Sequence, residues 1–154
     1  MKICGDEHFS PWIIKVIQDS CLDKSHQLHH VDDFQAKSVA DDIWVKKFAK
    51  AGGEVVLGAD GMMLRRPTEV VAICDTAMRL IVLPHQWANA PRHLQVSHVL
   101  YWWPHIEAVL AASRPRQCFK VPWGWGETKG AVQAIKVDFE GARKKLKKSL
   151  RRAG

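Results

Sequence analysis

Two continuous apolar runs, residues 55–59 and 80–83, flank a segment whose apolar side chains have helical spacing. Unbroken apolar runs of this length are typical of parallel strands buried on both faces. Parallel neighbours need a crossover connection between them, which is usually a helix. Because strand-like and helix-like segments alternate along most of the chain, the sequence predicts an α/β protein. The expected architecture has three layers, α/β/α, around a central and mainly parallel sheet.

Local signals place the other elements. Ser10-Pro11 predicts a helix start, because Ser caps an N-terminus and Pro suits the first helical position. Pro67 predicts another helix start, and Gly52 and Gly53 predict the end of the helix that opens near residue 38. The further predictions are strands at 2–5, 26–31, 118–121 and 132–137, the last two as an edge hairpin, and helices at about 93–112 and from 139 onward.

Length and composition predict a single globular domain. The chain has 154 residues, of which 47% are hydrophobic, and this is enough for a complete core. No apolar run reaches the roughly 18 residues that a membrane span requires, and an acid at position 6 argues against a secretory leader. The four cysteines are scattered, and Cys4, Cys74 and Cys118 lie within apolar runs, which predicts buried free thiols in a cytoplasmic protein. We expect residues 1–137 to form the domain and residues 138–154 to form a basic C-terminal helix or tail.

Three aspartates fall where such a sheet places its ligand site. Asp6 follows the first strand, Asp60 follows the 55–59 strand, and Asp41 lies in the first turn of the helix before that strand. Ligands of open parallel sheets bind beyond the carboxyl ends of the strands. Carboxylates that converge there need a cation, and magnesium or manganese prefers oxygen ligands. We therefore predict a Mg²⁺ or Mn²⁺ site with catalytic Asp6, Asp41 and Asp60. Glu7 and Asp42 are weaker candidates, since adjacent side chains usually diverge and Asp42 competes with Asp41.

The net positive charge is confined to the C-terminus. Seven of the 23 Lys and Arg residues follow residue 142, and the other 16 equal the number of Asp and Glu residues in the whole chain. The segment from Phe139 onward also carries apolar residues with helical spacing, ending with Leu150 and Ala153. Clustered cations of this kind supply phosphate contacts without base specificity. We therefore predict that the tail binds RNA through Lys144, Lys145, Lys147 and Lys148.

Three motifs resemble a known family. Asp6-Glu7-x-x-Ser10-Pro11 resembles the opening of a PIN-like domain, and Asp41-x-x-Trp44-Val45 is similar to the second acidic motif of one PIN-like branch. The third motif of that branch is similar to residues 55–60 followed by Leu-Arg-Arg-Pro-x-Glu at 64–69. Over about residues 1–112 the chain resembles the VapC-type toxin ribonucleases of toxin–antitoxin pairs.

The resemblance implies a magnesium- or manganese-dependent endoribonuclease with a PIN-like fold. It implies RNA as the substrate, a small antitoxin protein as a partner and a homodimer as a possible assembly. It also implies that Asp6, Asp41 and Asp60 bind the metal, with Asp41 preferred to Asp42 because of its spacing to Trp44.

The chain departs from the family pattern after the third acid. PIN nucleases often have another aspartate there, whereas residues 61–64 are Gly-Met-Met-Leu. Glu69 or Asp75 is therefore the candidate for the fourth acid. Arg65 and Arg66, just before the helix of Pro67, are candidates for binding the flanking phosphates of RNA.

Two other functions fit parts of the sequence. A receiver-like phosphoacceptor domain would use the acidic pair Asp6-Glu7, the aspartate Asp60 and the lysine Lys120, but it leaves Asp41 without a role. A non-catalytic RNA-binding or partner-binding module would use the basic tail. Trp123 and Trp125 could stack on bases or contact a partner, whether the protein is a ribonuclease or a non-catalytic binding module. The histidines at 26, 29 and 30 lack the spacing of a zinc site.

Overall fold

The computed structural model describes residues 1–20, 23–34, 39–125 and 131–154. Its six strands form one sheet in the order β2-β1-β3-β4-β5-β6. The strands are β1 Lys2–Gly5, β2 Gln27–His30, β3 Val55–Gly58, β4 Arg79–Val82, β5 Cys118–Lys120 and β6 Gln133–Ile135. Neighbouring strands pair in parallel except β5 and β6, which pair antiparallel at the edge. The predictions of a mainly parallel sheet and of an edge hairpin are confirmed.

Helices connect the strands and follow the predicted starts closely. They are α1 Pro11–Ser20, α2 Asp41–Lys50, α3 Pro67–Asp75, α4 His85–Ala88, α5 Arg92–Ala112 and α6 Phe139–Ala153. The Ser10 hydroxyl accepts a hydrogen bond of 3.2 Å from the Ile13 amide, as an N-cap does. Gly52 has a φ of 85°, the left-handed conformation that ends a helix at little cost for glycine. The sequence did not predict the short helix α4, and Ser38 lies outside the described residues.

Alternate strand residues divide the interior into two cores. On one face, Ile3, Leu57 and Ile81 pack against α1 and α5. On the other face, residues next to these in the strands, such as Cys4 and Val56, pack against α2 and α3. Because side chains of a strand point alternately to the two sides, apolar residues at successive positions bind both helical layers to the sheet. The result is the predicted three-layer α/β/α architecture, with the carboxyl ends of the parallel strands along one edge.

The basic C-terminal segment forms α6, which packs against α3. Ala142 is buried, Phe139 is partly buried in the core of this face, and the Arg143 guanidinium forms an ion pair with Asp75 at the end of α3. The apolar stripe predicted from the sequence does not continue to the end of the helix, since Leu150 is 65% exposed. The first turns of α6 therefore attach the helix, while its last turns face solvent.

Three of the four cysteines, Cys4, Cys74 and Cys118, are buried free thiols, as predicted, and Cys21 lies outside the described residues. Within the described ranges, no helix combines the length and the apolar character that crossing a membrane requires.

Candidate active site

Asp6 is fixed directly after β1. Its backbone amide donates to the Leu57 carbonyl at 3.0 Å, which continues the β1–β3 pairing by one residue. The side chain is almost fully buried, with 2% of the residue exposed. The Asp6 Oδ1 accepts from the His8 amide at 3.0 Å, and Oδ2 accepts from the Ala59 amide at 2.9 Å. Two backbone donors thus hold this carboxylate in one orientation.

Glu7 and His8 lie beside the Asp6 carboxylate. One ligand atom from each of Asp6, Glu7 and His8 can be chosen so that all three lie within 4.8 Å of one another. The expectation that adjacency would separate Glu7 from Asp6 is therefore wrong, because the turn after β1 brings the two carboxylates together. Desolvation of the Glu7 carboxyl, reinforced by the charges of Asp6 and Asp41, raises its pKa. The His8 ring, with Nδ1 3.4 Å from Asp6 Oδ1, has its pKa raised to about 9 mainly by that contact, so it is protonated at neutral pH.

Asp41 lies in a second group with Trp44, Arg66 and Glu69. As the first residue of α2 it accepts a hydrogen bond of 2.9 Å from Trp44 Nε1, while its Oδ2 lies 3.7 Å from Arg66 Nη1. The same Arg66 nitrogen donates to Glu69 Oε1 at 3.0 Å. Glu69, in the first turn of α3, is buried, and among the described residues nothing hydrogen-bonds its other oxygen, Oε2. Burial, together with the charge of Asp41, raises the pKa of Glu69, and the contact with Arg66 opposes this.

Asp60 influences the group of Asp6, Glu7 and His8 and also the group of Asp41, Arg66 and Glu69 through its negative charge. Its Oδ1 caps the short 3₁₀ helix Gly61–Leu64 by accepting from the Met62 amide at 2.8 Å. The negative charge of Asp60 contributes to the raised pKa values of His8 and Arg66, each of which depends most on a nearer carboxylate. Asp60 therefore lies near a member of each group, although its ligand atoms fall outside the 4.8 Å set of Asp6, Glu7 and His8 in the described structure.

The structure separates the competing acids. Asp42 forms an ion pair with Lys46 at 3.1 Å on the surface of α2, whereas its neighbour Asp41 contacts Trp44 and Arg66. Asp75 lies at the opposite end of α3 from Glu69 and pairs with Arg143, so it is removed from the acidic edge. Glu69 is thus the acid of α3 that reaches the site. His8 was not predicted from the sequence, although its position two residues after Asp6 in a strand-end turn was a usable signal.

The donor set fits a hard divalent cation. Asp6 and Glu7 offer carboxylate oxygens, the ligands that Mg²⁺ and Mn²⁺ prefer, and His8 offers an imidazole nitrogen within 4.8 Å of them. The unpartnered Oε2 of Glu69 is a second indication, because a buried polar atom without a partner is costly unless a cation, a proton or water satisfies it. Binding of a cation through His8 would require the loss of the ring proton.

The other predicted residues occupy different environments. Arg65 is exposed, and Arg66 is engaged with Asp41 and Glu69. The four predicted tail lysines, Lys144, Lys145, Lys147 and Lys148, are exposed on α6. The three histidines at 26, 29 and 30 contact the carboxylates of Glu107, Asp33 and Asp32, respectively.

The family model described as PIN like domain matches residues 1–85, just over half of the chain. The chain belongs to the PIN-like domain family. PIN-like domains are generally nucleases, and the matched segment contains Asp6, Asp41, Asp60 and Glu69. It ends before α5 and is thus shorter than the resemblance over about residues 1–112, so the last two strands and α6 of this PIN-like protein lie outside it. No curated protein and no solved structure matches the chain.

Proposed function

We propose that this PIN-like domain is a Mg²⁺- or Mn²⁺-dependent endoribonuclease and the toxin of a toxin–antitoxin pair. The observation that carries the nuclease part is the set of carboxylates at the carboxyl edge of the parallel sheet, in which buried Asp6 is held by two backbone amides. An open α/β sheet binds its ligands at this edge. A receiver-like phosphoacceptor leaves Asp41 and Glu69 unexplained, and family membership does not favour it.

Each group of site residues would have its own role in the proposed hydrolysis of RNA. Asp6, Asp41 and Asp60 would hold the cation, with Glu7 and Glu69 as further carboxylates beside them. The cation, when bound, would activate water and neutralise the charge that develops on the phosphate. Trp44 orients Asp41, and Arg66 balances the charge of Asp41 and Glu69. His8 is protonated at neutral pH, and its Nδ1 is turned to Asp6. Lys144, Lys145, Lys147 and Lys148 on α6 would add affinity for the RNA backbone without base specificity.

RNA cleavage by the purified full chain tests the enzyme. We expect cleavage of single-stranded RNA with Mg²⁺ or Mn²⁺ and none with excess EDTA. Asp6→Asn and Asp60→Asn should each lower the rate by orders of magnitude, because a metal-site carboxylate acts mainly in the transition state. Asp19→Asn is the matched control, since Asp19 pairs with Lys15 on the surface of α1. Full activity of both site variants would refute the assignment, and RNA binding without cleavage would favour a non-catalytic module.

The toxin role needs its own test. Induced expression of the wild-type chain in a bacterial host should arrest growth, and Asp6→Asn at the same protein level should not. Co-expression of a small protein encoded beside the gene should restore growth and co-purify with the chain. Growth at the normal rate with an active enzyme in the cell would remove the toxin assignment while leaving the ribonuclease intact.

A further inference from the structure

A basic cleft lies where the segment before α3 and the first turns of α3 meet the end of β6 and the first turns of α6. Its volume is about 280 Å³. Arg65, Lys136 and Lys145 line it with positive charge, and apolar side chains such as Val70, Ile135 and Ala142 also line it. The volume is close to the lower limit of small-ligand pockets, roughly 300 Å³, so the cleft suits a fragment of a larger ligand. A phosphate with its ribose is such a fragment.

The three cations of the basic cleft are uncommitted. In the described structure, the side chains of Arg65, Lys136 and Lys145 form no ion pair, although they come from three different segments of the chain. Nearby arginines differ, because Arg66 is paired with Asp41 and Glu69 and Arg143 is paired with Asp75. Cations that line one cleft repel one another, and this cost is recovered when an anion binds.

One acid also lines the cleft, and it is already engaged. The Asp138 Oδ1 accepts a hydrogen bond of 2.9 Å from the Gly141 amide, as the N-cap of α6. The charged side chains that line the cleft therefore comprise three cations and one capping carboxylate, a net charge of +2. The cleft is thus built to attract an anion.

The position of the cleft indicates which anion. Arg65 precedes Arg66, and the Arg66 guanidinium lies 3.7 Å from Asp41 in the acidic site. We propose that the basic cleft binds a backbone phosphate of the RNA strand whose scissile phosphate lies at the acidic site. This subsite rests on the proposed ribonuclease function, because that function supplies a polyanion with regularly spaced phosphates. Phosphate contacts of this kind fix the register of the strand and leave its bases to be read elsewhere.

RNA binding measured without metal tests the subsite independently of cleavage. The probe is a fluorescent single-stranded ten-nucleotide RNA, titrated with the full chain in EDTA at several salt concentrations. The double variant Lys136→Gln/Lys145→Gln should bind several-fold more weakly, and the slope of log affinity against log salt should fall by about 0.7, the value for one lost phosphate contact. Lys47→Gln/Lys50→Gln is the matched control, since both lysines are exposed at the end of α2 away from the acidic edge.

The outcomes separate the subsite from the enzyme. Loss of affinity and slope in the cleft variant, with little change in the control, supports the subsite even if the wild-type chain fails to cleave RNA with Mg²⁺ or Mn²⁺. Three outcomes would overturn the subsite. They are an equal loss of RNA affinity in the cleft and control variants, no loss of affinity in the cleft variant, and no binding of RNA by the wild-type chain. Circular dichroism and thermal unfolding should show all variants folded. A cleft variant that loses its fold is replaced by the single variants Lys136→Gln and Lys145→Gln, of which at least one should lower the affinity and the slope, and an unchanged slope in both would overturn the subsite.

Discussion

The indole nitrogen of Trp44 donates a hydrogen bond of 2.9 Å to Oδ1 of Asp41 within the first turn of α2. Trp44 is fully buried in the core between α2 and the sheet, so its ring cannot move without disturbing that core. The Asp-x-x-Trp spacing is therefore a device that fixes a site carboxylate to the protein interior. The spacing of three residues places both side chains on the same helical face.

Replacement of Trp44 by Phe should separate the role of this hydrogen bond from the packing of the ring. We expect weaker Mn²⁺ binding and slower RNA cleavage, because Asp41 loses the donor that orients it. The free energy of unfolding should fall by roughly 1–3 kcal/mol, from the lost hydrogen bond and from the smaller ring. Calorimetric Mn²⁺ titration and urea unfolding would measure the two effects. Unchanged Mn²⁺ affinity in a folded variant would show that Asp41 needs no such support.

Asp41→Asn and Asp42→Asn form a matched pair at adjacent positions. The first should weaken Mn²⁺ binding markedly and the second only slightly, because Asp42 faces Lys46 on the surface. Each variant loses one negative charge, so a general electrostatic effect would appear in both. Equal effects on Mn²⁺ affinity would indicate general electrostatics with no special role for Asp41, and reversed effects would mean that Asp42 is the ligand.

Glu69→Gln should lower activity while preserving or raising the stability of the metal-free protein. The pKa of Glu69 is raised by burial, which means that its charged form is disfavoured in the folded state. A group of this kind destabilises the fold as the pH rises through its pKa, and glutamine removes that cost. Thermal unfolding with and without Mn²⁺ is the measurement. We expect Mn²⁺ to stabilise the wild-type chain more than the variant, and equal stabilisation would place Glu69 outside the metal site.

The protonation of His8 predicts a pH dependence of the metal-free protein. Its pKa is about 9 in the folded state against an ordinary value of 6.5, chiefly because of the Asp6 carboxylate. The contribution of the His8–Asp6 contact to the free energy of unfolding is therefore complete below about pH 6.5 and is lost as the pH rises through about 9. The difference between the free energies of unfolding of the wild-type chain and of His8→Asn should shrink over this pH interval. Titration of the His8 ring by nuclear magnetic resonance with a midpoint near 6.5 would contradict the prediction.

Local signals in the sequence predicted much of the fold. The apolar runs, the Ser10-Pro11 start and the glycine at position 52 predicted strands and helix ends, because each depends on a few consecutive residues. Asp41 was favoured over Asp42 for the same reason, since its partner Trp44 is three residues away. The structure shows that contact, while the metal role of Asp41 stays a prediction.

Contacts between distant segments could not be predicted in this way. The burial of Glu69 beside Asp41 depends on how α2 packs on α3, which no local pattern encodes. The same holds for Arg143 and Asp75, which attach α6 to α3 across nearly half of the chain. Sequence spacing treated the tail as one apolar stripe, whereas tertiary contacts use only its first turns and leave Leu150 in solvent.

The pairing of Arg66 with Asp41 and Glu69 has a consequence for how the protein matures. Arg66 and the protonated His8 are counter-ions built into the polypeptide itself, one for each half of the acidic edge. The newly made chain can therefore complete its fold before it encounters any divalent ion, in contrast to small zinc domains that remain unfolded until they are loaded. Under the proposed metal dependence, metal supply would control the chemistry of this protein and not its folding, so that a cell short of the ion would accumulate an intact but inactive protein.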